Sequence, residues 1–287
     1  MSTRLDKQIR ALITLLGDDD PSIRNLVWDK LRGLGELAEP FLREVAFNDS
    51  EGRIRIETQA LLEEIRLENL RNKFQCRIQS PHFDLEHVCF ILAQIEYPQL
   101  DVAHYISKIE NLAVEAEKRI WGVREEILQV EHINHLLFSE QGFRGNVDAY
   151  FEPENSYINK VLDRCLGIPI SLSALYLFIA KRLDLPIYGV SFPGHFLLKY
   201  KRDTDLFYID AFHGGKILTR DDCERFLNKM GYEFHESYLA ISTPKEILAR
   251  MIRNLVLIYH QSNQRNKIDT LEKIFSDYIK FKERRIE

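Results

Sequence analysis

The sequence has no closely spaced cysteine pair, no long apolar run, no excess of positive charge and no glycine loop of the phosphate-cradling kind. Each absence excludes something. Cys76, Cys89, Cys165 and Cys223 are scattered singly, so neither a zinc knuckle nor a thioredoxin-type motif can be built, and free thiols in a reducing compartment are expected. No stretch approaches the ~18 apolar residues of a membrane span, and Met1-Ser-Thr-Arg-Leu-Asp6 has no signal-type apolar region; a cytoplasmic protein without a membrane partner is expected. Lys and Arg number 39 against 44 Asp and Glu, a net charge of −5, which gives no basic field for nucleic acid. Gly214-Gly215 is too little for a P-loop, and no G-x-S-x-G elbow occurs. His132-x-x-His135 follows Glu131, but this is not the H-E-x-x-H order of a zinc helix. No metal and no cofactor are expected.

What is present is a 287-residue chain, long enough for two domains, with hydrophobic residues at 45 % and charged residues at 29 %. Its first part is patterned for helices alone. Leu5, Ile9, Leu12, Ile13 and Leu16 recur at helical spacing until Gly17-Asp18-Asp19-Asp20-Pro21-Ser22 stops them. A second helix carries Leu26, Val27, Trp28 and Leu31, a third begins near Glu39-Pro40 with Phe41, and a fourth follows Asn48-Asp49-Ser50-Glu51-Gly52. The breakers Asp20-Pro21-Ser22-Ile23-Arg24 and Asp49-Ser50-Glu51-Gly52-Arg53 stand about 30 positions apart, which resembles HEAT-type repeats. A plain four-helix cap is the simpler alternative.

Beyond Asn69-Leu70-Arg71 the pattern changes. Asp84 and Asp101 read as N-caps of two further helices, and 125–138 as another. A loop at Gln141-Gly-Phe-Arg-Gly-Asn146 precedes a helix over 170–183, which Asp184-Leu185-Pro186 ends. Strands are expected at 187–191, 195–200 and 206–210, the last two joined by Lys201-Arg-Asp-Thr-Asp205. Helices over 220–230, 244–262 and 267–280 complete the sequence.

Several motifs in order carry a family likeness: Leu136-Leu-Phe-Ser-Glu-Gln-Gly-Phe-Arg-Gly-Asn146, Asn155-Ser-Tyr-Ile-Asn159, Gly167-Ile-Pro-Ile-Ser-Leu-Ser173, Pro193-Gly-His-Phe-Leu197, Asp210 with Gly214-Gly215, and Ile247-Leu248-x-Arg250-Met251-x-x-Asn254-Leu255. From about Phe83 to Tyr259 the sequence resembles the SirB-type transglutaminase-like family. The resemblance implies an α+β, predominantly helical protein. The resemblance takes in a transglutaminase-like domain with a small antiparallel sheet at 73–240 and the entry to a helical, tetratricopeptide-like hairpin at 241–287, while the HEAT-like block expected at 1–72 falls outside it.

A papain-type triad sets a nucleophile at a helix N-terminus, its base on a strand and an orienting carboxylate on the next strand. His195 and Asp210 fit the last two roles. In transglutaminase-like proteins the nucleophile is a cysteine, made thiolate-like by the helix dipole and the adjacent histidine. Here that place falls at Pro169 to Ser171, and none is cysteine. Ser171 is the nearest substitute, Ser173 the next, and Cys165 the rival; the plain reading of Ser171 is a first-turn capping serine. Gln141, Asn146, Asn155, Asn159 and His213 are candidates to line the cleft, although asparagines in such loops more often hold turns. Two functions follow: a non-catalytic or vestigial module that binds a protein or peptide, or a hydrolase or acyl transferase using Ser171 (or Cys165), His195 and Asp210. A binding role would place partner surface on the helices of Trp28 and Phe41.

Overall fold

The computed structural model describes residues 4–48, 51–202 and 205–279. Asp49 and Ser50 of the second breaker, Asp203 and Thr204 of the strand connection, and Lys280 at the last helix end lie outside them. Backbone contacts divide the protein into two compact units, Met1–Lys73 and Phe74–Glu287.

In the first unit, α1 (Arg4–Thr14), α2 (Pro21–Leu34), α3 (Glu39–Asn48) and the first part of α4 (Gly52–Gln79) surround a core that includes Ile9, Leu16, Leu31, Leu42 and Leu61. Pro21 at the first helical position and Asp20 accepting the Ser22 N–H start α2 as the sequence implies. Trp28 and Phe41 are partly buried against this core, and Trp28 Nε1 donates to Glu64, while Leu26 on the helix of Trp28 and Phe47 on that of Phe41 are exposed. α4 continues past the change of pattern near residue 70, because neither glycine nor proline interrupts it between Gly52 and Pro81.

The second unit is mostly helical. Its helices are α5 (Leu85–Glu96), α6 (Val102–Ile120), α7 (Glu126–Asn134), α8 (Ile158–Arg164), α9 (Pro169–Arg182), α10 (Arg220–Lys229), α11 (Pro244–Gln261) and α12 (Arg265–Ile279). Asp84 caps α5 and Asp101 caps α6, as expected from their positions. α7 ends earlier than the apolar pattern suggests, and a π-helical turn, His135–Glu140, follows it. His132 and His135 are exposed there, and His135 Nδ1 meets Glu140 at 2.9 Å.

A two-stranded parallel pair, β1 (Arg144–Gly145) with β2 (Leu166–Gly167), fastens the loop after that turn to the segment leading into α9. The main sheet is a four-stranded antiparallel meander of β3 (Ile187–Val190), β4 (Leu197–Arg202), β5 (Asp205–Asp210) and β6 (Lys216–Leu218). The fold is therefore α+β and predominantly helical. β6 adds a strand to the three expected; its three residues are too few to show alternation. Leu198 pairs with Ile209. That register puts the start of β4 and the end of β5, hence His195 and Asp210, at one end of the sheet.

α11 is part of this unit's core. Ile247, Leu248, Met251, Ile252, Leu255 and Ile258 are buried, and Tyr157 and Tyr259 share a hydroxyl hydrogen bond at 2.7 Å. Among the described residues no helix is long and apolar enough to cross a membrane.

Candidate functional site

β4 is entered through a turn in which the His195 N–H donates to the Phe192 carbonyl. Gly194 in that turn has φ +64°, and a Cβ there would lie 2.8 Å from Met230 Cε. Gly194→Ala is expected to lower stability by about 1 kcal/mol, because a non-glycine residue is strained at positive φ. A denaturant titration checks it, and an unchanged midpoint would contradict the strain. Arg250 of α11 closes the same turn from outside: Nη1 donates to the Phe192 carbonyl at 3.0 Å and Nη2 to the His195 carbonyl at 2.7 Å.

The imidazole so placed is buried, 6 % exposed, and packs against Phe212 and Phe226. Its Nε2 is 2.9 Å from Asp210 Oδ1. In the neutral ring Nε2–H donates to the carboxylate, which leaves Nδ1 as the acceptor. Asp210 is only 3 % exposed and is heavily used. Oδ1 also accepts the Phe212 and His213 N–H groups, and Oδ2 lies 2.7 Å from His213 Nδ1. Burial pushes this carboxyl up, but hydrogen bonds and charge from His195 and then His213 outweigh it and hold it below its ordinary range. The ligand-capable atoms of His195, Asp210 and His213 lie within 4.8 Å of one another. Their short contacts are nevertheless hydrogen bonds to a carboxylate that also serves two backbone N–H groups. The trio is an anchored pair of imidazoles.

Opposite His195 lies the start of α9. A cleft of about 180 Å³ is lined there by His195, Gly194 and Phe196, by Ile168, Pro169 and Ile170, by Tyr150 and Phe151, and by Arg250, Asn254, Leu257 and Ile258 of α11. The residues presented from the helix start are thus Pro169 and Ile170. Ser171 is fully buried and does not line the cleft. Its Oγ donates to the Asn155 carbonyl at 2.5 Å and accepts the Ile168 N–H at 3.0 Å. Ser173 is also fully buried, with its Oγ unpartnered. Cys165 ends α8 in a left-handed conformation, φ 54°, outside the cleft lining. Burial raises its thiol pKa against the opposing charges of Lys108 and Arg144.

Asn146 and Asn155 are buried and act together. Asn146 Nδ2 donates to Asn155 Oδ1, while Asn155 Nδ2 donates to the Ala149 and Tyr150 carbonyls. They hold the loop that presents Tyr150 and Phe151, one step behind the cleft wall. Gln141 is exposed at the end of the π turn, and Asn159 is buried with Oδ1 unpartnered. His213 is half exposed and reaches the site through Asp210. Tyr150 and Phe151 join the site from outside the motifs, and Arg250 and Asn254, which belong to the last motif, join it without having been expected there as site residues. The last two stand four residues apart on α11, on one face of the helix.

The family profile of the transglutaminase-like superfamily matches residues 103–253, just over half of the sequence. The protein belongs to that superfamily. A UPF0162 protein of Xylella fastidiosa (strain 9a5c) is 34 % identical over 186 residues, covering 63 % of this chain and 66 % of that protein. A UPF0162 protein of Vibrio cholerae is 37 % identical over 117 residues, 40 % of this chain and 43 % of its own length. F-box only protein 21 of Mus musculus is 35 % identical over 158 residues, 52 % of this chain but 24 % of that protein. The match thus spans just under two thirds of the first bacterial relative and about a quarter of the mammalian one. No solved structure gives a significant match.

Proposed function

We propose that this is a SirB-type transglutaminase-like protein whose core binds a protein or peptide segment without performing acyl transfer. One observation carries the reading: the helix start facing His195 presents Pro169 and Ile170, which have no nucleophilic atom, while the Ser171 hydroxyl is spent on the Asn155 carbonyl. A base and its orienting carboxylate remain, and among the described residues no serine, threonine or cysteine lines the cleft beside them. The cleft is walled by aromatic and aliphatic side chains and suits an extended segment better than a small polar metabolite. Residues 1–72 would act as a HEAT-like block adding partner surface, with 73–240 as the core and 241–287 as a tetratricopeptide-like tail. The relative named F-box only protein 21 supports a protein partner. A cytoplasmic setting fits four cysteines that remain free.

The alternative, a hydrolase or acyl transferase with Ser171 or Cys165 as nucleophile, needs Ser171 to leave its bonds to Asn155 and Ile168 or Cys165 to leave its helix end. Labelling of the intact protein with a fluorophosphonate and with iodoacetamide, mapped by peptide mass spectrometry, separates the two. The expected result is no fluorophosphonate adduct on Ser171 and only slow alkylation of Cys165, unchanged by His195→Ala. Stoichiometric labelling of either residue, abolished by His195→Ala, would establish the enzyme instead.

A further inference from the structure

Three partly buried arginines on other helices of the second unit are balanced. Arg182 pairs with Glu86 and Glu110, Arg164 with Glu152 and Glu154, and Arg119 with Glu115 and Glu140. Arg250 differs. It lines the cleft, donates to two backbone carbonyls, and has no ion pair with a carboxylate among the described residues. Burial lowers its pKa, and Arg253, three residues along the same helix, lowers it further. Arg253 also has no ion pair among the described residues, and its Nη1 is buried and unpartnered. No described Asp or Glu lines the cleft. A guanidinium has five N–H donors, and the bonds to Phe192 and His195 leave three for a ligand. Asn254, four residues on and on the same helix face, adds an amide to the cleft lining.

An unbalanced, partly desolvated cation is costly unless an anion completes it. The shape of the site narrows the anion. One guanidinium with one amide beside it matches the single charge and planar fork of a carboxylate. A phosphate dianion would leave charge over, since no described lysine lines the cleft. Around the cation stand Tyr150, Phe151, Phe196 and Leu257, an apolar wall for the side chain next to the carboxylate. We propose that Arg250 and Asn254 anchor a carboxylate of a bound peptide segment, either its C-terminus or an acidic side chain, with the apolar neighbour against Tyr150 and Phe151. This rests on the binding reading above and names the chemistry of what is bound.

The test is an NMR titration of the 15N-labelled full-length protein, following the Gly194, His195 and Phe196 amides. Four probes are compared: N-acetyl-Phe-Leu with a free carboxylate, the same dipeptide as its amide, N-acetyl-Phe-Glu-amide, and inorganic phosphate. At least one carboxylate probe is expected to bind about tenfold more tightly than N-acetyl-Phe-Leu-amide, as expected of a charge-assisted pair. The tighter of the two identifies the source of the carboxylate. Arg250→Lys should erase the difference, but it also loosens the turn at Phe192. Leu257→Glu provides the second variant: at 52 % exposed its side chain is free to change, and it sets a competing carboxylate at the cleft without touching Arg250's bonds. It should remove the preference as well. Equal affinity for acid and amide, a preference for phosphate, no response to any probe, or a preference that survives Leu257→Glu would each overturn the anchor. Those outcomes leave the non-catalytic reading standing, whereas labelling of Ser171 or Cys165 overturns that reading and leaves a measured carboxylate preference intact.

Discussion

Asp210→Ala is expected to lower unfolding stability by about 3 kcal/mol, among the larger effects open to a single substitution in this protein. Asp210 accepts from the rings of His195 and His213 and from two backbone N–H groups, and almost none of it reaches water. Truncation leaves the buried His195 Nε2–H and the turn after β5 without acceptors, and each buried donor so orphaned costs about 1–3 kcal/mol. Asp210→Asn should fall between the two, since its amide oxygen still serves the backbone. A loss below about 1 kcal/mol on urea unfolding would mean the carboxylate is not the anchor described. The acid limb gives a second readout. A carboxyl whose folded pKa is depressed contributes stability that is present above its unfolded value, about 3.9. That contribution is lost as pH falls through the lower folded value. The native protein should therefore lose stability below about pH 4 more steeply than Asp210→Asn does. Parallel acid limbs would contradict the bonded carboxylate.

Local grammar makes much of this fold readable. Asp84 and Asp101 announce their helices because a carboxylate before an apolar-periodic run has one favourable use, accepting the first free N–H groups. The strand order is legible from β-branched and aromatic runs between turn residues, and it carries His195 and Asp210 to one end of the sheet. β6 and the two-residue β1–β2 pair are not legible, being shorter than any periodicity. The π turn after α7 escapes as well, since apolar Leu136 and Leu137 continue the helical pattern through it. For the site, the pairing of His195 with Asp210 can be named from sequence, but the assignment of Ser171's hydroxyl cannot. That depends on the Asn155 carbonyl, 16 positions away, arriving beneath the helix start. Arg250 is visible as a residue, yet that no described carboxylate pairs with it is a property of packing that no spacing reveals.

The second large effect comes from restoring what the helix start omits. Pro169 is the first residue of α9 and lines the cleft with His195. Its replacement by cysteine sacrifices little, because proline at that position contributes mainly a preset φ. A thiol there stands at a helix N-terminus opposite an imidazole that Asp210 already orients. Those are the conditions that drive thiol pKa values down from about 8.5 toward neutrality or below. At pH 6.5 an ordinary thiol is about 1 % ionised, whereas one with its pKa near 6.5 is about half ionised. The intrinsic nucleophilicity lost with the lower pKa returns about tenfold of that gain, leaving roughly fivefold faster alkylation. No acyl-transfer activity is required for the effect, only the geometry.

In the proposed reading His195 and Asp210 act as base and orienting acid, and Pro169 stands where the nucleophile would be. The most direct measurement is the second-order iodoacetamide rate at the introduced thiol of Pro169→Cys, taken against pH with and without His195→Ala. The expected rate is about fivefold above a free thiol at pH 6.5 and falls most of the way to the ordinary value when His195 is removed, the helix N-terminus alone keeping the remainder. A thiol that reacts like free cysteine in both backgrounds would contradict it.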